Sequence, residues 1–240
     1  MNLIAVDSSG QTATVALVSD GVLTGEYTIN HKKTHSQTLM PMLQTLCAAV
    51  EYDLYTTDAI AVAAGPGSFT GLRIGAAAVK GMAQALNKPL IAVPTLEGLA
   101  CQFYGSEQLI CPIMDARRAQ VYSGIYHFVR EDNVMRMQTV AGEAAIPMTE
   151  QINRLNAFCE PVIFLGDGVE VHRQVITEQM QVPYIFAPVH KRLQSAGSVA
   201  ARALMMLEEG KLPVEAGTFA PEYLRPSQAE RERAEKLGAE

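Results

Sequence analysis

The chain of 240 residues exceeds the usual size of one domain, and its 48% hydrophobic against 18% charged residues excludes a disordered polypeptide. A formal net charge of -6 argues against a free-standing nucleic-acid binder, because binding phosphate groups requires clustered Lys and Arg. The four cysteines form no CxxC pair, no basic leader precedes Asp7, and no apolar run reaches membrane-spanning length, so we expect a cytoplasmic protein with reduced thiols.

The first half of the chain predicts three strands followed by alternating helices and strands. Residues 3–6 and 12–18 are strand-like, and Asp20-Gly21 predicts a hairpin turn into a third strand at 22–29, because both turn residues tolerate positive φ. Further segments predict helices at 36–50, 72–86 and 96–103 and strands at 59–64 and 89–93. This βββαβαβα order is typical of half of an actin-like ATPase and differs from the steady βαβ alternation of a dinucleotide-binding sheet.

The second half predicts a degenerate copy of the same pattern. Residues 109–115 form an apolar strand that ends in Asp115, and residues 120–129 form its neighbour after a turn at Arg117-Arg118. The remaining predicted elements are helices at 148–156 and 195–209, a strand at 162–165 and a turn at 166–168. We therefore expect an α/β protein with the actin-like ATPase fold, which is ribonuclease H-like, in two related domains.

We place the boundary between these domains near Gly105. The predicted units are an N-terminal domain at residues 1–105 and a C-terminal domain at residues 106–225. A charged, apolar-poor tail follows at 226–240, and its run of Glu, Arg and Lys predicts a solvated or frayed segment.

A glycine-rich segment, GPGSFTGLRIG, lies between a predicted buried strand and a helix, where small residues let the backbone approach a ligand or another chain segment closely. It lacks the GK[ST] ending of a Walker loop, the GxGxxG spacing of a dinucleotide site and the GxSxG of a nucleophile elbow. Its residues of interest are Gly65, Gly67, Ser68, Thr70, Gly71 and Arg73. For Ser68 and Thr70 we expect helix capping and not catalysis, since no general base is evident.

Two turns that contain an acidic residue are candidates for nucleotide binding. They consist of Asp7, Ser8 and Ser9 at the end of the first strand, and of Gly166, Asp167 and Gly168 in the second half. In an actin-like ATPase, the first turn could receive phosphates or a magnesium shell, and the second could approach a nucleotide from the other domain. Tight turns capped by their own Ser and Asp side chains are an equally good explanation.

Two histidines have a spacing that could place metal ligands on one helix face. His31 and His35 are separated by four residues, but they flank Lys32 and Lys33 in a predicted strand-to-helix connection. Two cations disfavour a metal ion there, and no carboxylate nearby completes a coordination shell. We therefore expect a solvated loop and no metal site.

Two predicted helices of the first half are apolar beyond a single stripe. The helix at 36–50 contains no charged residue, and the helix at 72–86 is rich in Gly and Ala, which permit close helix packing. Such helices bury a second face against their own second domain or against another protein chain. We expect the second arrangement, with an interface formed by Leu39, Met40, Leu43, Cys47, Ile74, Ala78 and Met82.

The segment GPGSFTGLRIG resembles the signature of the TsaB family, formerly YeaZ, which acts in making threonylcarbamoyladenosine on tRNA. The resemblance extends to Asp7-Ser8-Ser9, His35-Ser36, Lys80-Gly81, Asp115-Ala116-Arg117, Val121-Tyr122 and Pro221-Glu-Tyr-Leu-Arg225. The chain departs from the family at Gln120, where an acidic residue is common, and in its charged tail.

The catalytic relative TsaD carries a similar loop followed by a metal site in the context His-x-Glu-Gly-His. The comparable stretch here is Thr95-Leu96-Glu97-Gly98-Leu99, in which both imidazoles are replaced. The resemblance therefore implies a subunit without catalytic residues or metal. Such a subunit would bind and activate a TsaD-like protein for threonylcarbamoyl transfer to adenosine 37 of tRNA.

The resemblance also implies partners for this chain. They are a TsaD-like paralogue in a heterodimer, a TsaE-like ATPase and, when the chain is alone, a second copy; tRNA contact would be indirect, and no membrane is involved. We expect no intrinsic cofactor, with ATP or ADP at the complex.

Two alternative functions remain. One is a small kinase or nucleotide hydrolase of the actin-like superfamily that uses Asp7 and Asp167 around magnesium. The other is a peptidase, which the absence of a Ser/His/Asp arrangement disfavours.

Overall fold

The computed structural model describes residues 1–31 and 34–225 of the chain, so Lys32, Lys33 and the predicted tail at 226–240 lie outside the described residues. The first half contains β1 (Leu3–Asp7), β2 (Ala13–Ser19), β3 (Val22–Ile29), α1 (His35–Ala49), β4 (Ala59–Ala63), α2 (Phe69–Leu86), β5 (Leu90–Val93) and α3 (Thr95–Ala100). The second half contains β6 (Leu109–Asp115), β7 (Gln120–Glu131), β8 (Val134–Pro147), α4 (Met148–Phe158), β9 (Val162–Leu165), α5 (Gly168–Gln179), β10 (Tyr184–Phe186) and α6 (Ala196–Glu208).

Each half contributes one five-stranded mixed sheet with the same strand order. The first sheet runs β3-β2-β1-β4-β5, and the second runs β10-β9-β6-β7-β8. The central strands β1 and β6 each pair antiparallel with the next strand of the chain and parallel with the strand that follows the first helix of that half. The order βββαβαβα therefore occurs twice, which confirms the predicted fold class and shows that the second copy is complete in its topology.

The local signals read from the sequence agree with the backbone at several turns and caps. Asp20 and Gly21 adopt positive φ angles of 50° and 77°, as the predicted hairpin requires. Ser195 caps α6 through a hydrogen bond from the amide of Ser198 to its hydroxyl, and Gly210 follows that helix with a φ of 81°.

Three elements of the second half are absent from the sequence prediction. The edge strand β8 is half-exposed, contains Gly and Ala, and pairs with β7 after a turn at Asp132-Asn133, where both residues have positive φ. The predicted turn at 166–168 is followed at once by α5, which begins at Gly168. The strand β10 has only three residues. Each of these elements takes its stability from packing and pairing more than from local propensity.

The two halves exchange their last helices. On the first sheet, α1 and α2 cover one face, and α6 from the second half of the chain covers the other. On the second sheet, α4 and α5 cover one face, and α3 from the first half packs against β6 and β7 on the other. The boundary near Gly105 stays a prediction, because each sheet completes its core with a helix from the opposite side of that point.

A buried ion-pair network joins the exchanged helices α3 and α6. The guanidinium of Arg202, whose side chain is 4% exposed, donates to Glu97 at 2.6 Å and to both carboxylate oxygens of Glu209 at 2.7 and 3.1 Å. Breaking such a network by removing one member leaves an uncompensated charge in a poorly hydrated place. Glu97, which lies in the segment comparable with the metal motif of TsaD, is therefore engaged in holding the two halves together.

Candidate functional site

A cleft of about 550 Å³ lies between the two halves of the molecule, where the central strands β1 and β6 end. Crevices beyond the carboxyl ends of such strands are where ligands bind in many α/β folds. Its walls include Ser9, Gly10, Ser68, Thr70, Asp115, Arg117 and Asp167. Of the residues predicted to bind a nucleotide, the cleft therefore brings together Ser9 and Asp167.

The glycine-rich segment is interlocked with the β1–β2 turn. The amide of Ser68 donates to the carbonyl oxygen of Ser9 at 2.6 Å, and the hydroxyl of Ser8 donates to the carbonyl oxygen of Gly71 at 2.9 Å. A Cβ atom added at Gly67 or Gly71 would collide with the carbonyl oxygens of Ser9 and Ser8. The close approach that these glycines permit is thus made to the protein's own first turn.

The cap predicted at the start of α2 is present for one residue and absent for the other. Ser68 is the N-cap of α2, and its hydroxyl accepts a hydrogen bond from the amide of Gly71 at 3.3 Å. Thr70 lies inside the first turn and is exposed, so the prediction that it caps the helix is wrong. Arg73 is also exposed, with its guanidinium 4.1 Å from the centre of the Phe69 ring.

Asp7 is buried and stabilises the turn that follows β1. It is 2% exposed, and its carboxylate accepts a hydrogen bond from the amide of Ser9 at 2.8 Å. Burial raises the pKa of Asp7 to about 6, while the hydrogen bond from the amide of Ser9 lowers it to a smaller extent. Asp7 and Ser8 do not line the cleft, so this geometry matches the tight-turn explanation, and their role in nucleotide binding stays a prediction.

The second predicted turn has a similar construction. One carboxylate oxygen of Asp167 accepts a hydrogen bond from the amide of Asp115 at 3.1 Å, and burial raises the pKa of Asp167. Gly166 has a φ of 99°, and a Cβ atom there would collide with the carbonyl oxygen of Ile113. Gly166 and Gly168 therefore let this turn pack against β6, and they do not line the cleft.

Two segments that line the cleft were not predicted from the sequence to be part of the site. The turn between β6 and β7 has three consecutive residues in the left-handed region, Arg117, Arg118 and Ala119, with φ angles of 63°, 55° and 57°. Tyr223 and Arg225 reach the same cleft from the C-terminal end of the described chain. The adjacent DAR and Pro-x-Tyr-Leu-Arg motifs were the signals available, although neither indicates that these segments meet.

The two histidines occupy different environments. His35 is half-buried at the start of α1, and its Nε2 atom forms a hydrogen bond with the carbonyl oxygen of Gly10 at 2.8 Å, so the prediction of a solvated loop is wrong for His35. His31 is exposed. Within residues 1–31 and 34–225, no group of three His, Cys, Asp or Glu side chains could hold a metal ion.

The segment comparable with the metal motif of TsaD faces the interior. Thr95 is fully buried, and its hydroxyl accepts a hydrogen bond from the amide of Gly65 at 3.1 Å. Leu99 is 1% exposed and packs in the core between α3 and the second sheet. Both positions that would carry imidazoles are thus used to attach α3 to the glycine-rich loop and to the core.

Comparisons with known proteins point to one family. Residues 23–233 match the family model described as TsaD: tRNA N6-adenosine threonylcarbamoyltransferase. The chain is 30% identical over 230 residues to the tRNA threonylcarbamoyladenosine biosynthesis protein TsaB of Bacillus subtilis, and the match covers 96% of each chain. The chain belongs to the TsaB (YeaZ) family. Within the wider group that the TsaD model describes, it therefore lies with proteins of tRNA threonylcarbamoyladenosine biosynthesis.

Other TsaB relatives agree with this placement. TsaB of Escherichia coli is 31% identical over 161 residues, which cover 60% of this chain and 69% of that protein. The solved structure of YeaZ from Pseudomonas aeruginosa superposes with a TM-score of 0.77 at 29% identity and covers 93% of this chain and 99% of that one. Within the part of this TsaB-family chain that the structure describes, no helix is long and apolar enough to cross a membrane.

The interface predicted for this TsaB-family chain divides into buried and accessible residues. Leu39 and Leu43 are only 2% and 3% exposed and pack in the core beneath α1, so the prediction that they offer side chains to a partner is corrected. Met40 is 43% exposed. Cys47, Ile74, Ala78 and Met82 are half-buried. The outer surface of α1 and α2, which includes the exposed residues Met40, Ala77, Gly81 and Ala85, is called the α1–α2 face below.

Proposed function

We propose that this chain is the non-catalytic subunit of a tRNA N6-threonylcarbamoyladenosine synthesis complex, and that it binds and activates a metal-bearing TsaD-like protein through its α1–α2 face. Membership of the TsaB family supports a role in tRNA threonylcarbamoyladenosine biosynthesis. The buried side chains of Thr95 and Leu99 stand where the resemblance to TsaD would place metal-binding imidazoles. This supports a non-catalytic subunit and not an enzyme that transfers threonylcarbamoyl.

The single observation that carries the proposal is an unexplained glycine on the outer side of α2. Gly81 lies in the interior of this 18-residue helix, is exposed, and a Cβ atom added there would meet no atom of the described chain. Glycine in a helix interior costs about 1 kcal/mol relative to alanine. Because the packing of residues 1–31 and 34–225 does not require this glycine, it supports close approach of a second chain at this position.

The surroundings of Gly81 fit a helix-packing surface. Ala77 and Ala85 lie one turn before and one turn after it, and both are exposed. Met40 on the neighbouring helix α1 adds a flexible apolar side chain that adapts to a partner. The alternative that the second half of the chain covers these helices is not what the described residues show, since Met40, Ala77 and Gly81 remain accessible.

The experiment is size-exclusion chromatography with light scattering on the chain mixed with the TsaD-like paralogue of its organism. We expect a stable heterodimer, and we expect Gly81→Ala to weaken it although the substitution stabilises the free chain by about 1 kcal/mol. Gly81→Glu should abolish the complex and leave the circular dichroism spectrum unchanged. Stabilisation combined with weaker binding separates an interface from a folding defect.

The matched control is Ala157→Glu, which places the same charge at an exposed position on α4. It should leave the heterodimer intact. Absence of any complex, or a complex that tolerates Gly81→Glu as well as the control, would overturn the proposal. Magnesium-dependent ATP turnover by the chain alone would then favour the kinase or hydrolase alternative.

The remaining partners follow from the same proposal. A TsaE-like ATPase would join the heterodimer, ATP or ADP would bind at that complex, and a second copy would cover the α1–α2 face when the paralogue is absent. The net charge of -6 supports indirect tRNA contact, with the RNA held by the other subunits in the cytoplasm. Restored tRNA modification when this chain is added to the paralogue and the ATPase would measure the activation.

A further inference from the structure

The last described segment of the chain, residues 221–225, runs across both halves of the molecule. The chain reaches it along the first half, where Val214 pairs with Leu90 at the edge of the first sheet. The Lys80 ammonium group on α2 then donates to the carbonyl oxygen of Phe219 at 2.9 Å. Phe219 is 5% exposed in the core beneath α2, so the segment starts from a firmly held point.

The first anchor of this segment lies at the start of the glycine-rich segment, at Ala64 and Gly65. The amide of Glu222 donates to the carbonyl oxygen of Ala64 at 2.7 Å. Gly65 has a φ of 121°, and a Cβ atom there would collide with the carbonyl oxygen of Glu222. The first glycine of the motif is therefore needed to admit the C-terminal segment, and this connects two sequence motifs that lie more than 150 residues apart.

The second anchor is aromatic. The ring of Tyr223 packs on that of Phe69, the first residue of α2, with 4.7 Å between the ring centres. The guanidinium of Arg73 packs over the same Phe69 ring at 4.1 Å. Tyr223 is nevertheless 40% exposed, so this contact can separate without opening the hydrophobic core.

The third anchor lies on the other half of the molecule. The guanidinium of Arg225 donates from Nη1 to the carbonyl oxygen of Ala116 at 2.7 Å. Ala116 begins the strained β6–β7 turn that forms the opposite wall of the cleft. A segment fixed to Ala64 and Phe69 at one end and to Ala116 at the other therefore bridges the two walls of the cleft, which Tyr223, Leu224 and Arg225 help to line.

We infer that residues 221–225 form a strap that ties the two halves together across the cleft, and that release of this strap opens the cleft to a ligand. The strap lies at the N-terminal end of α2, beside the cleft walls formed by Thr70 and Ser9. Thr70 is already exposed with the strap in place, so the cleft is partly accessible, and loss of the bond between Arg225 and Ala116 would widen it. This inference is independent of the partner proposed above, since it concerns contacts within the chain.

The test is amide hydrogen exchange on the full chain, compared between the wild type, Arg225→Ala and Tyr223→Ala. Arg225 contacts the second half, whereas the amide of Glu222 is bonded to the first half. If the strap acts as one unit, Arg225→Ala should speed exchange at Glu222 about tenfold, the effect of losing one hydrogen bond from a charged group. Small-angle scattering of the same variants should show a larger radius of gyration.

The matched control is Arg154→Ala, which removes an exposed arginine paired with Glu150 on α4 and should change neither measurement. Unchanged exchange at Glu222 in Arg225→Ala would overturn the strap. Faster exchange without any change in scattering would reduce the segment to a local contact and would overturn its role in closing the cleft. Tyr223→Ala keeps the test decisive if Arg225→Ala fails to fold.

Discussion

Replacement of Asp7 by asparagine tests whether this residue is a buried turn residue or an accessible nucleotide ligand. The pKa of Asp7 rises from 3.8 to about 6 through burial, a difference worth about 3 kcal/mol at about 1.4 kcal/mol per pKa unit. The folded protein binds this proton more tightly than the unfolded chain does. The stability that the proton contributes is therefore complete below about pH 4 and is lost as the pH rises through about 6.

Asparagine keeps an oxygen that can accept the hydrogen bond from the amide of Ser9, but it cannot titrate. The free energy of unfolding of Asp7→Asn relative to the wild type should therefore rise by about 3 kcal/mol between about pH 3.5 and about pH 7. For a chain of this size, that change corresponds to about 6–12 °C in relative melting temperature.

The assay is urea unfolding followed by circular dichroism at several pH values, for both proteins at low concentration. A constant offset between them reports only the fit of the new amide, whereas the pH-dependent part reports the buried carboxyl group. If the two stability curves stay parallel across this range, the carboxylate of Asp7 is hydrated and the reasoning from burial is refuted. The nucleotide-ligand explanation would then regain support.

Two further predictions concern the exchanged helices. Arg202→Met should lower the free energy of unfolding by about 3–5 kcal/mol, because Glu97 and Glu209 lose their partner in a poorly hydrated site. The control Arg154→Met removes an exposed ion pair and should lower it by less than about 1 kcal/mol. Equal urea midpoints for the two variants would contradict this prediction. A fragment of residues 1–105 lacks α6 and should show no cooperative thermal unfolding by circular dichroism; a sharp transition would show that the first sheet is stable without that helix.

The fold was largely predictable because local signals and periodicity agreed in the first half. Asp20-Gly21 marks a hairpin by its tolerance of positive φ, and Ser195 and Gly210 mark the two ends of α6. The second half was less predictable because its elements are short or lie at an edge. The helix α5 had a usable signal, since Val169, His172 and Ile176 are buried at helical spacing after the Gly166-Asp167-Gly168 turn.

The candidate site was predictable only in part because it depends on contacts between distant segments. Spacing placed Ser9 and Asp167 at strand ends, and both line the cleft. Apolar periodicity alone could not tell which residues of α1 face the core, so Leu39 and Leu43 were assigned to the interface together with Met40. The contact of Gly65 with Glu222 has no local sequence signature, because a glycine indicates that space is needed but does not identify the residue that fills it.

The exchange of helices has a consequence for the order in which the protein is made on the ribosome. The helix α6 begins about 100 residues after β5 ends, which corresponds to about 5–20 s of synthesis at typical rates. Throughout that interval, the face of the first sheet formed by Leu3, Ala16 and Val93 lacks its cover. The nascent chain therefore carries an open apolar surface until α6 has been synthesised, and this interval is when it is most exposed to aggregation.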